Sequence, residues 1–170
     1  MLKDEIKMIL DENDFTYRPN PKWIKEKKWF CRVYLMWYDR IEANFIYNAI
    51  SSIDTKAIEF IANKTVEIRG IKNVTVDYID TFYSLDRDID IGINGAGFTN
   101  ENCDYLYLKD NESEIFMLFG SEDFVNKAMP ISNEEYKLYY EGFYGEWVSE
   151  NIDNLLKRIW NDYCKESIEA

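Results

Sequence analysis

Asp86, Asp88 and Asp90 stand at alternate positions of the run Asp86-Arg87-Asp88-Ile89-Asp90-Ile91. Alternate residues of a strand share one face, so these carboxylates could converge on a divalent cation. The chain contains no histidine. That excludes Ser-His-Asp and Cys-His catalysis, imidazole metal ligands and any imidazole acid or base, and leaves acid–base work to Asp, Glu, Lys or Tyr.

Asp88 and Asp90 resemble the Asp-x-Asp strand of nucleotidyltransferases. That resemblance implies a carboxylate-dependent, metal-using enzyme acting on a nucleotide or phosphate ester. It is short, because the Gly-Ser turn which that family places shortly before is missing between Val74 and Leu85. The same stretch fails as an EF-hand loop, with Ile91 where glycine belongs and Gly97 where the closing glutamate belongs. The expectation is a half-exposed strand with Ile89, Ile91 and Ile93 inward, the aspartates in water, and no bound metal or cofactor.

Two further clusters invite a ligand. Gly92-Ile93-Asn94-Gly95-Ala96-Gly97 approaches a dinucleotide-binding turn, but Asn100 stands where the third glycine should be and no amphipathic helix follows, so a flexible turn leaving a strand is expected. Lys22, Lys25, Lys27, Lys28 and Arg32, interleaved with Trp23, Trp29 and Phe30, could hold an anion by charge and stacking. A solvated basic loop is the expectation there.

Acid and aromatic residues mix most closely between Glu134 and Glu150. Glu134, Glu135, Glu141 and Glu146 alternate with Tyr139, Tyr140, Phe143, Tyr144 and Trp147. Tyr and Trp bury large area with little rotamer loss, and carboxylates around them steer a cationic surface inward. These nine residues are the candidate partner-binding set. The competing reading makes half of the aromatics core residues of a helix lying on a sheet.

The elements that must position these groups follow from periodicity. Leu2, Ile6, Ile9 and Leu10 predict a helix from Leu2 to Asn13, with a loop through Pro19 and Pro21. Trp29 to Trp37 reads as a buried strand. Ile41, Phe45, Ile46, Ala49, Ile50 and Ile53 predict a helix. Alternation at Val66 and Ile68, at Val74, Val76 and Tyr78, and at Ile89, Ile91 and Ile93 predicts antiparallel strands. Tyr105–Leu108 and Ile115–Phe119 form a hairpin across Lys109 to Glu114. Ser132 caps a helix, and Ile152, Leu155, Leu156, Ile159, Trp160 and Tyr163 stripe the last one, with Ser149 as its cap. Helix, strands and terminal helices in this order predict an α+β fold, an antiparallel sheet packed against N- and C-terminal helices, as a single globular domain over residues 1–170.

Composition bounds the function. The 170 residues carry 20 Lys and Arg against 32 Asp and Glu, a net charge of −12. That disfavours direct nucleic-acid binding, which rests on Lys and Arg displacing counterions, and favours a basic protein partner. No apolar run can span a bilayer and the N-terminus is not a secretory signal, so cytoplasmic residence is expected. Cys31, Cys103 and Cys164 lie too far apart for a disulfide framework or a Cys-x-x-Cys pair, and buried free thiols are expected. The character fits a non-enzymatic acidic binding protein that occludes a basic partner, the class represented by bacterial immunity proteins that inhibit a cognate toxin. A scaffold or homo-oligomeric subunit is the other non-enzymatic alternative.

Overall fold

The structure is a computed structural model and describes residues 2–13, 16–35, 38–62, 65–82, 95–110, 115–143 and 150–169. Its centre is a six-stranded antiparallel sheet in the order β3-β8-β7-β6-β4-β5. The strands are β3 (Phe30–Leu35), β4 (Lys56–Ala62), β5 (Val66–Asn73), β6 (Gly95–Thr99), β7 (Tyr105–Asp110) and β8 (Ile115–Gly120). Helices at both ends of the chain pack on it, as an α+β fold requires.

The residues of β8 are all buried, as are those of β7 from Tyr105 to Lys109, because helices cover both faces of the sheet. On one face stands an aromatic layer. Phe98 stacks on Tyr107 at 4.5 Å, and Tyr105 stacks on Phe124 at 5.2 Å. The helices above this layer are α3 (Arg40–Ser51), α4 (Val76–Phe82) and α5 (Glu122–Ala128). The Tyr34 hydroxyl donates to the carbonyl of Ala128 at 2.6 Å, which ties the sheet to the end of α5.

The other face, with Cys31, Val33, Met117 and Phe119 in register, meets the C-terminal helices. There α7 (Glu150–Ile159) runs into a π-helical turn (Trp160–Cys164) and then α8 (Lys165–Glu169). Phe119 packs edge-on against Tyr163 at 5.1 Å. Cys31, Cys103 and Cys164 are buried free thiols, as the sequence predicts.

Phe30–Leu35 forms a strand within the predicted Trp29–Trp37, Arg40–Ser51 a helix over most of the predicted Ile41–Ile53, and the hairpin strands and the Ser132-capped helix form where periodicity places them. Four local readings need correction. The first helix, α1 (Leu2–Ile9), stops before Asn13, because Leu10–Asn13 is a strand, β1, paired with β2 (Thr16–Pro19). The expected proline loop instead contains α2 (Pro21–Glu26), for which Asn20 caps the Lys22 N–H and Pro21 supplies the first turn. Val76 and Tyr78 lie in α4, not in a strand, since Thr75 Oγ1 accepts the Tyr78 N–H at 3.0 Å and starts a helix. Gly95–Gly97 belong to β6, where a Cβ on Gly97 would sit 2.2 Å from the Tyr107 carbonyl oxygen. The alternation at Ile89, Ile91 and Ile93 and the Ser149 cap lie outside the described residues.

Candidate functional site

The helix α6 (Asn133–Glu141) carries most of the predicted partner-binding residues. Its start is fixed by a capping box: the Ser132 side chain accepts the Glu135 N–H at 3.1 Å, and the Glu135 carboxylate accepts the Ser132 N–H at 3.3 Å. Glu135 is therefore exposed but partly committed to the cap. At 100° per residue Tyr136, Tyr139, Tyr140 and Phe143 fall on one side, and Glu134, Leu138 and Glu141 on the other.

The inward side closes an open sheet edge. Strand β3 is terminal, and its outward N–H groups would otherwise be a template for pairing with another chain. The Tyr136 hydroxyl accepts the Val33 N–H at 3.0 Å, and the Tyr139 hydroxyl accepts the Leu35 N–H at 2.8 Å. Tyr140 is 0% exposed and donates to the Leu156 carbonyl at 2.5 Å, while its ring lies 4.9 Å from Trp160. Arg32 is buried as well, its guanidinium 4.6 Å from the Tyr136 ring centre and bonded to Asn133 Oδ1 at 2.8 Å. Burial raises the Tyr139 hydroxyl to about 12, opposed by its bond from Leu35 and reinforced by the nearby Glu42 carboxylate.

Tyr140 is thereby removed from the partner-binding set, because its hydroxyl and ring are both used inside the fold. Tyr139 and Phe143 are half-buried and pack on each other at 5.5 Å. What remains outward is Glu134, Leu138 and Glu141, with Leu138 70% exposed. Leu138 was not among the predicted residues, although its position four after Glu134 and three before Glu141 puts it on their face. Tyr144, Glu146 and Trp147 lie outside the described residues, as do Asp86, Asp88 and Asp90. Among the described residues no group of three acidic or cysteine side chains is arranged to hold a metal ion.

The basic segment is divided by the fold. Lys27 lies over both Trp23 and Trp29, at 5.1 and 5.2 Å from the ring centres, and donates to the Cys103 carbonyl at 3.4 Å. Arg32 serves α6. Lys22, Lys25 and Lys28 remain exposed along one wall of an open groove of about 520 Å³, whose opposite wall is the π-helical turn and α8. Lys25 spans the groove to Glu166 at 3.0 Å.

Among the described residues no helix is long and apolar enough to cross a membrane. Comparison with protein-family models, with curated proteins and with solved structures gives no match for this chain.

Proposed function

We propose that this is a non-enzymatic acidic binding protein that docks the outward face of α6 on a basic protein and occludes it, as an inhibitor of the immunity or antitoxin class does. The observation that carries this reading is Leu138, a large apolar side chain 70% exposed and flanked on its own helix face by Glu134 and Glu141. An exposed apolar knob ringed by carboxylates joins an anchor to a steering field. The helix beneath it is held by the two tyrosine hydroxyls on β3 and by Tyr140 on Leu156. Little ordering would therefore be needed on binding. The net charge of −12 acts in the same direction over longer range.

The test is capture of a partner by the immobilised protein across a salt series, repeated with variants. A basic protein that is retained at low salt and released as salt rises supports the reading. Reversing Glu134 and Glu141 to Lys should then lower the association rate, and Leu138→Asp should mainly speed release. Retention that is equal for the wild type and all three substitutions removes the α6 face from the function.

A further inference from the structure

The groove beside α2 has three features that packing alone does not require. The first is the end of α2. Trp29 N–H bonds to the Ile24 carbonyl at 3.1 Å and Lys28 N–H to the Lys25 carbonyl at 3.0 Å, the paired bonds of a Schellman motif. The residue that turns left-handed in that motif is ordinarily glycine. Here it is Lys28, with φ 56°. A lysine held in the conformation that favours glycine is strained, and residues held so cluster at binding and active sites.

The second feature is the opposite wall. Its π-helical turn, Trp160–Cys164, is the only one among the described residues, and such turns are frequent at functional sites. It presents Asn161 and Asp162 to the groove, across from the lysines. The third feature is the lining between the walls, where Trp29 and Phe30 are both half-buried and leave part of each ring open to the groove.

We infer that this groove binds a small phosphate-bearing aromatic molecule of the mononucleotide class. Lys22 and Lys28 take the phosphate as point charges, the ring lies against Trp29 or Phe30, the Asp162 carboxylate accepts from a sugar hydroxyl, and the Asn161 amide accepts from or donates to one. Glu166 does not repel the anion strongly, because Lys25 neutralises it at 3.0 Å. A volume of about 520 Å³ falls within the usual range for small-molecule sites, about 300–1,000 Å³. The chain's net charge of −12 disfavours a long polyanion more than a single small one. This site shares no lining residue with the outward α6 face, and stands or falls without it.

The experiment is calorimetric titration of the full chain with AMP, GMP, CMP and UMP, with inorganic phosphate, adenosine and a short single-stranded oligonucleotide as comparators. At least one mononucleotide should bind, more tightly than phosphate or the nucleoside alone. Lys28→Gly relaxes the strained turn, so its melting temperature should hold or rise while mononucleotide affinity falls about tenfold, the loss expected for one charge-assisted contact. Lys22→Ala should weaken binding similarly with the fold unchanged. The proposal is overturned if no mononucleotide gives heat at millimolar concentration, if phosphate alone binds as tightly, if the oligonucleotide binds tighter than every monomer, or if Lys28→Gly binds like the wild type.

Discussion

The hydroxyls of Tyr105 and Tyr136 are equally dry, both residues being 0% exposed, and they differ in what they meet. That of Tyr136 accepts the Val33 N–H and lies 3.6 Å from Cys164 Sγ, whereas that of Tyr105 has no hydrogen-bond partner among the described residues. A buried hydroxyl without a partner carries a desolvation cost, so Tyr105→Phe should leave stability unchanged or raise it. Tyr136→Phe strands a backbone donor at the sheet edge and should cost about 1–3 kcal/mol in urea unfolding. The contrast is the test, since the two substitutions delete the same atom. Gly97 makes a sharper demand. A methyl there would meet the Tyr107 carbonyl oxygen at 2.2 Å and Phe60 Cζ at 2.9 Å, and the first of these is backbone. Gly97→Ala should therefore cost about 3 kcal/mol or more, seen as a fall in the urea midpoint, because the central strands cannot separate to admit it.

The cover that α6 gives β3 depends on where the helix begins. Removing the Ser132 cap with Ser132→Ala should cost about 1 kcal/mol and, more tellingly, speed hydrogen exchange at the Val33 and Leu35 amides, whose acceptors ride on α6. Unchanged exchange at those amides would mean that the tyrosine hydroxyls do not hold the edge. The cap and the helix were legible because both signals are local: Ser132 and Glu135 lie one turn apart. The hairpin of β7 and β8 was legible for the same reason. By contrast, Val76, Ile79 and Phe82 fit a helical spacing, while Val74, Val76 and Tyr78 fit a strand, and so short a run lets either template match. The Thr75 cap decides it in the structure. Strand β6 offers Gly95-Ala96-Gly97, too little side chain to show alternation, and it is specified by the registers of β4 and β7 on either side. Of the candidate site, the acidic character of α6 was legible. The division between Tyr140 inside and Leu138 outside needed the helical phase, which the spacing of Glu134, Leu138 and Glu141 already carried. The groove was legible only as a list of basic and aromatic residues, because its second wall comes from residues more than a hundred positions away.

With 32 acidic and 20 basic side chains and no histidine, the chain has an uneven response to pH. No imidazole titrates between about pH 5 and 8, so the neutral region is governed by carboxylates and their mutual repulsion. Glu42 is raised by its partial burial, opposed by its bond from the Asp39 N–H. A carboxyl raised in the folded state binds its proton more tightly there, so folding gains as pH falls towards that group and loses as pH rises past it. Both effects place maximal stability on the acidic side of neutrality. At the alkaline end Cys103 is raised to about 11, chiefly by burial, and Tyr139 to about 12, again by burial. Tyr34 and Tyr105 are raised in the same direction. In each case the unfolded chain releases its proton first. The stability these groups contribute is therefore complete below their unfolded values, near 9 for the thiol and 10 for the phenols, and is lost as pH rises through the folded ones. The urea midpoint should rise modestly from pH 7 to about pH 5–6 and fall steadily above about pH 9. Salt separates the two causes. In 1 M salt, where the Debye length is about 3 Å, the acidic-side gain should shrink because it comes largely from repulsion between exposed carboxylates. The alkaline fall should persist, because it comes from burial of neutral hydroxyls and a thiol that salt cannot reach. An alkaline fall that salt abolishes would mean that surface charge, and not the buried aromatic layer, sets the upper pH limit of the fold.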